Sequence, residues 1–287
     1  MHDVFYFTDI HGMYDLYRAI MDYCREQDPE AMIVFGGDAC DRGPDGYKIM
    51  KELLANPQVI YMMGNHEDMF VHAAWFIMNN YHGALDDESV FQYLLKCDTE
   101  EFYSKEVQLC IYNGGYRTLY DWMCDGMSKD FVDRIAKLPL TISYENIDFC
   151  HAGGNPKTFL EVSTNEYYEE KLDTDNRMMI LWDRNWLGFG WIPKRICVFG
   201  HTPTIYLPAK YYGQDKSMAN AHPCKYVGLI DERLSGYRID MDTAAAFSGK
   251  AYVLNCLTMK AQGFKDNDFA DDLNMNHNVE KIEVIQF

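Results

Sequence analysis

The chain has 287 residues, 48% hydrophobic and 24% charged, which is enough apolar material for one sizeable α/β domain or two small ones. Its formal net charge of −18 argues against sequence-independent nucleic-acid binding, which needs Lys and Arg to replace phosphate counterions, and against docking on an anionic membrane. A phosphorylated substrate stays open, because bound metal ions supply local positive charge.

Residues 4–8 form a short apolar run suited to a buried strand. Over residues 13–27, Met13, Leu16, Tyr17, Ile20 and Cys24 recur at helical spacing. A second strand is expected at 31–35, ending in Gly36-Gly37. Pro44 then reads as the first residue of a helix with Tyr47, Met50, Leu53 and Leu54 on one face. A third strand at 58–63 ends at Gly64. Strand–helix–strand units of this length predict right-handed crossovers and a largely parallel sheet.

From about 67 to 138 the chain is rich in Met, Leu, Tyr, Trp and acids, with little strand signal, and reads as a helical excursion interrupted at Asn113-Gly114-Gly115. Strands resume at 142–150 and 195–199, and late strands are expected at 237–241, 251–258 and 279–286. The stretch 206–236 is loop-rich and is read as a candidate lid, and 266–278 as a polar, exposed loop. Nine cysteines, an odd number without a CxxC pair, fit a reduced chain better than a disulfide framework. No signal-peptide pattern and no apolar run of roughly 18 residues is visible, so the expected localisation is cytoplasmic.

Four clusters with metal-binding chemistry fall at strand ends. In Thr8-Asp9-Ile10-His11-Gly12 a carboxylate and an imidazole stand one residue apart. In Gly37-Asp38-Ala39-Cys40-Asp41-Arg42-Gly43, Asp38 is placed to be a ligand and Arg42 offers a planar fork for phosphate oxygens. In Gly64-Asn65-His66-Glu67, Asn65 can serve a hard ion and His66 can act as an acid. A plain helix start, with Asn65 as cap and Glu67 complementing the dipole, explains that piece equally well. The fourth cluster pairs His151 in Cys150-His151-Ala152-Gly153 with His201 in Gly200-His201-Thr202-Pro203. Each piece is weak alone, and His2, His72, His82, His222 and His277 carry no such context. Together they place Asp, Asn and His donors where open α/β sheets bind ligands, a donor set suited to Mn, Fe or Zn rather than thiolate zinc.

In this order the motifs resemble those of the calcineurin-like metallophosphoesterases, and among them the phosphoprotein phosphatases of bacterial and phage type. The resemblance covers about residues 4–254. It implies an α/β, four-layer fold, two mixed β-sheets sandwiched between helices, formed as a single domain over 1–287. It implies that Asp9 and His11 serve one metal ion, that Asn65, His151 and His201 serve a second, and that Asp38 bridges them. His66 matches the general acid, Asp41 its orienting carboxylate, and Arg42 and Arg184 (in Trp182-Asp183-Arg184) the phosphate-binding arginines. Asp242-Thr243 matches the Asp-Thr of the closing strand pair, and Asn113-Gly114-Gly115 with Thr118 a loop of bacterial members.

The implied activity is hydrolysis of phosphoserine or phosphothreonine in proteins first, with phosphotyrosine as a further substrate. Two ions, manganese first and iron or zinc next, would share a hydroxide as nucleophile, and His66 would protonate the leaving oxygen. A symmetrical bis(5'-nucleosyl)-tetraphosphatase is the alternative. Glu67 and Asp41 favour the phosphatase, because that branch more often has Gly-Asn-His-Asp and lacks the acid before Arg-Gly. A non-catalytic metal- or phosphoprotein-binding scaffold is the third reading. Met62-Met63, Ala152 and Ala244 depart from the family pattern without touching a candidate ligand. The expected partner is a phosphorylated protein or a small phosphorylated substrate, with no nucleic acid and no membrane.

Overall fold

The computed structural model describes residues 2–99, 104–164, 174–185, 190–227, 236–267 and 278–287. The first sheet grows from β1 (Val4–Phe7), β2 (Met32–Phe35) and β3 (Val59–Tyr61), joined in parallel through α1 (Tyr14–Gln27) and α2 (Gly46–Ala55). The helical excursion follows as α3 (Asn65–Asn80), α4 (Asp87–Thr99), α5 (Lys105–Cys110), a π-helical turn (Ile111–Gly115), α6 (Tyr116–Cys124) and α7 (Lys129–Ile135). The second sheet takes β4 (Thr141–Tyr144), β5 (Ile147–Cys150), β6 (Ile196–Phe199), β7 (Cys224–Val227) and β8 (Tyr237–Asp240), with α8 (Pro156–Thr164), α9 (Thr174–Trp182) and α10 (Ala209–Tyr212) between them. After α11 (Ala245–Ser248) the chain returns to the first sheet as β9 (Lys250–Asn255), β10 (Lys260–Asp266) and β11 (Val279–Gln286).

The strand orders are β11-β10-β9-β1-β2-β3 and β4-β5-β6-β8-β7, and both sheets mix parallel and antiparallel pairs. Alternation along the strands explains how the sheets stack. Val4 and Tyr6 of β1 meet Ile147 and Phe149 of β5, Ile196 and Val198 of β6, and Ile239 of β8 in one apolar cluster between the sheets. Tyr6 stacks on Phe149 with ring centroids 5.3 Å apart. The alternate residues Phe5, Phe7, Cys197 and Phe199 belong to the larger cluster that takes in the helices. The result is two mixed sheets flanked by helices.

Parallel register aligns the carboxyl ends that matter. Phe7 pairs with Phe35 and Phe35 with Tyr61, while Phe199 pairs with Asp240. The loops after β1, β2, β3, β5 and β6, carrying Asp9, Asp38, Asn65, His151 and His201, therefore open on one edge.

Several expectations are corrected. The stretch 142–150 is not one strand but the antiparallel hairpin β4–β5, turning at Glu145, whose φ is +50°. The helix expected from Pro44 starts at Gly46. Asn65 does not cap α3, which starts at Asn65 itself with Gly64 before it. The loop-rich 206–236 contains α10 and β7, and its residues 228–235 lie outside the described ones. β10 had no sequence signal, because Lys260, Gln262, Gly263 and Lys265 mask its alternation. Asp266, read as part of a loop, ends that strand and is buried. Residues 268–277 of that loop are outside the described ones. Among the described residues, no helix is long and apolar enough to cross a membrane.

Candidate metal centre

Two groups of side chains with metal-ligating atoms within 4.8 Å of one another share Asp38: His11–Asp38–His66 and Asp38–His151–His201. Asp38 faces them with different oxygens. Its Oδ2 lies 3.6 Å from His11 Nε2 and 3.8 Å from His66 Nε2, while its Oδ1 lies 3.4 Å from His151 Nε2. Asn65 joins the second group, its Oδ1 being 2.9 Å from His151 Nε2 and 2.8 Å from His201 Nδ1. Asp9 stands beside rather than within the groups. Its carboxylate accepts from Thr8 Oγ1 at 2.7 Å and from the His201 amide at 3.1 Å.

The far side of each ring is fixed by an oxygen. His11 Nδ1 lies 2.9 Å from Cys40 O, His151 Nδ1 2.9 Å from Gly36 O, and His201 Nε2 3.2 Å from Trp182 O. A carbonyl only accepts, so these nitrogens carry the hydrogens. In the neutral rings the facing nitrogens then carry lone pairs, the arrangement in which metal-ligating histidines are held. With Asn65 Oδ1 facing them, His151 Nε2 and His201 Nδ1 complete a set of three acceptors, which a proton on one ring or a metal ion among them would satisfy. The donor set fits a hard or borderline metal on that ground.

Burial and charge act in opposite directions here. Burial alone would raise the Asp38 carboxyl, but His151, His66 and His11 hold it well below the usual range. Burial carries Asp9 up to about 6, with Asp38 adding to it and His151 opposing. His151 is pushed down by burial but pulled up to about 10 by Asp38 and Asp9. His11 and His201 stay low, through burial and then Arg42 and His151 respectively.

Beside the first group stands a pair suited to proton transfer. His66 Nδ1 lies 2.7 Å from Asp41 Oδ2. Against the pull of burial, Asp38 and Asp41 raise the imidazole. Arg42 spans both rings, with Nη1 2.6 Å from His11 Nε2 and Nη2 3.1 Å from His66 Nε2. Arg184 is exposed, and its charge reaches His201 and Asp240.

The loops approach too closely for side chains at their glycines. A Cβ on Gly37 would stand 2.6 Å from Gly64 Cα, and one on Gly64 2.2 Å from Asp38 Oδ1. Glu67, expected only to complement a helix dipole, accepts from the amides of Asp38, Ala39 and Gly64 at 2.7–2.9 Å and from Tyr61 at 2.8 Å. Two further residues escaped sequence reasoning. Phe247 is exposed with its ring under the Arg42 guanidinium at 5.7 Å; its place just after Asp242-Thr243 was the available signal. Thr118, noted only as part of a loop pattern, bonds Asp41.

The profile of the calcineurin-like phosphoesterases matches residues 3–227. A curated relative, the symmetrical bis(5'-nucleosyl)-tetraphosphatase of Buchnera aphidicola subsp. Acyrthosiphon pisum (strain 5A), is 31% identical over 64 residues, which are 22% of this chain and 23% of the relative. The matched stretch thus spans under a quarter of that relative's length. A solved protein serine/threonine phosphatase from Saccharomyces cerevisiae is similar at 13% identity, over 100% of this chain and 81% of that one, with a TM-score of 0.45. A cold-active protein-tyrosine phosphatase from a psychrophilic Shewanella is similar at 15% identity, over 92% and 77%, with a TM-score of 0.40.

Proposed function

The chain belongs to the calcineurin-like phosphoesterase family, and on that premise we propose that it is a metal-dependent phosphomonoesterase acting on phosphoserine and phosphothreonine in proteins. The observation that carries this reading is the adjacency of the His66–Asp41 pair and Arg42 to two ligand groups joined through Asp38. Asp9, His11 and Asp38 are proposed to hold one ion, and Asp38, Asn65, His151 and His201 the other. When bound, such ions acidify water from about 15.7 to near 7 and neutralise phosphate charge. Manganese is the first expectation for both positions.

The chain's own groups do the rest. Arg42 already directs two guanidinium nitrogens between His11 and His66, so phosphate oxygens entering there would accept from it, with Arg184 closing from the other side. His66 Nε2 faces the Arg42 donor here; once substrate oxygens take the Arg42 hydrogens and Nε2 is protonated, His66 would pass that proton to the leaving oxygen while Asp41 holds Nδ1 and stabilises the charged ring. No serine or cysteine nucleophile is needed.

His66→Asn tests the assignment. Turnover of a phosphopeptide should fall by roughly 10²–10⁴ while bound metal, measured by elemental analysis, stays at the parent level. Loss of metal would instead make His66 a ligand, as its place in the first group allows. The second reading, a symmetrical dinucleoside tetraphosphatase, is favoured by the named relative over its 64 residues. Parallel assays with a phosphopeptide panel and diadenosine tetraphosphate, each with Mn²⁺, separate the two. Turnover of the dinucleotide alone would reject the phosphatase.

A further inference from the structure

The helical excursion packs back onto the turn that carries the acid pair. Thr118, in the first turn of α6 and 1% exposed, meets Asp41 twice. Its Oγ1 donates to Asp41 Oδ1 at 2.8 Å and accepts from the Asp41 amide at 3.1 Å. A hydroxyl has one proton and two lone pairs, so the two bonds together set the Asp41 carboxylate relative to its own backbone. Asp41 uses its other oxygen, Oδ2, for His66 Nδ1. Its φ is +70°, a conformation that persists only where surrounding contacts over-determine it. One residue on, the Arg42 amide donates to Gly114 O at 3.1 Å. A Cβ on Gly114 would stand 3.0 Å from Arg42 N. The turn bearing Asp41 and Arg42 is thus held from a segment over 70 residues away.

We propose that Thr118 is a positioning residue of the proton-transfer pair, fixing through Asp41 the angle at which His66 presents Nε2 to the leaving oxygen. A buried threonine that merely satisfies its hydroxyl would affect folding and every substrate alike. A positioning role is selective. It matters for esters whose leaving oxygen needs a proton and is silent where the leaving group departs as a stable anion. The kinetic consequence rests on the phosphomonoesterase reading; the ring geometry of His66 does not.

Thr118→Val removes the hydroxyl at nearly constant volume, and Thr118→Ser keeps it. For phenyl phosphate, kcat/KM should fall about tenfold to thirtyfold in Thr118→Val, part of the 10²–10⁴ a general acid contributes. For 2,4-dinitrophenyl phosphate it should change by less than about twofold, and Thr118→Ser should restore the first value. In an Asp41→Asn background Thr118→Val should cost nothing further, because residues acting as one unit are not additive. Equal losses on both esters, or none on either, overturn the proposal. Thr118→Ala carries the same comparison if the valine variant does not fold. A second measurement is free of activity. In the zinc-loaded protein, the ¹⁵N and proton signals of His66 Nδ1–H should be sharp in the parent and Thr118→Ser and broadened in Thr118→Val. An unchanged Nδ1 signal in the valine variant overturns the positioning role. If the parent hydrolyses neither ester, the functional reading fails while this comparison still decides the role of Thr118.

Discussion

Asp9, His11, Asp38, Asp41, Arg42 and His201 all adopt φ between 44° and 70°, a region that costs residues with a Cβ of order 1–3 kcal/mol each. The cost is tolerated because backbone bonds lock the first two loops together. The amides of Asp9, His11 and Gly12 donate to Gly37, Asp38 and Ala39 carbonyls at 2.8–3.0 Å, and Gly43 N returns to His11 O at 2.9 Å. The strained turns aim Asp38 so that each carboxylate oxygen faces a different imidazole group. That division predicts the outcome of Asp38→Asn. An amide removes the shared charge and turns donor hydrogens towards one of the two groups, so metal content should fall from about two ions per chain to below one. Elemental analysis after dialysis against Mn²⁺ measures it. A variant that keeps both ions would count against the proposal that Asp38 is a ligand shared by the two.

At the level of elements, α3 enters the centre through its first turn. The His66 amide donates to Asp38 Oδ1 at 3.0 Å, and Glu67 turns back to brace the loops after β2 and β3. Each Glu67 oxygen takes two donors: Oε2 those of Asp38 and Gly64, Oε1 those of Ala39 and Tyr61. Glu67→Gln would leave at least one buried backbone donor facing an NH₂ group: that of Ala39 if the NH₂ takes the Oε1 place, where the Tyr61 hydroxyl can turn and accept, or those of Asp38 and Gly64 if it takes the Oε2 place. At about 1–3 kcal/mol per unsatisfied buried group, urea unfolding should show a loss of roughly 1–3 kcal/mol, since the amide turns to the side that strands one donor. A loss under about 0.5 kcal/mol would show that the brace is dispensable. Most elements were legible because their patterns are local. The apolar runs of β1, β2 and β6 and the helical spacing in α1 need no partner to be read. The hairpin β4–β5 was not, since each arm alternates apolar with polar residues as one longer strand would, and the turn at Glu145 has no Gly, Asn-Gly or Pro to announce it. The order of donors pointed to His11, Asp38, Asn65, His151 and His201, which do meet, with Asp9 beside the groups and His66 inside the first of them, whereas Thr118 and the bracing by Glu67 were hidden. Their partners lie 77 and 28–29 residues away for Asp41, Ala39 and Asp38, and no local periodicity encodes such contacts.

For the molecule as a whole, metal removal couples the centre to stability. The chain carries a net charge of −18, and it buries Asp9, Asp38, Asp240 and Asp242 close to one edge of its sheets. An ion bound only by the folded state adds RT ln(1 + [L]/Kd), about 2.7 kcal/mol at a hundredfold excess over Kd. Chelation should therefore lower the Tm by several degrees, taking roughly 2–4 °C per kcal/mol for a chain of this size. The pH dependence has a definite sign. Without metal, His151 has its pKa raised to about 10 by Asp38 and Asp9, so at pH 7 it holds a proton that an ion must displace. Asp9, raised by burial to about 6, holds a second proton below that pH. Each displaced proton makes apparent affinity rise about tenfold per pH unit. Affinity should therefore climb with pH through the neutral range with one proton released, and more steeply below pH 6 as Asp9 also gives up its proton. Calorimetric Mn²⁺ titration in buffers of different ionisation enthalpy counts those protons directly. Mn²⁺ affinity that is flat between pH 5 and 8, or a Tm that does not respond to EDTA, would detach the imidazole and carboxylate groups from metal binding altogether.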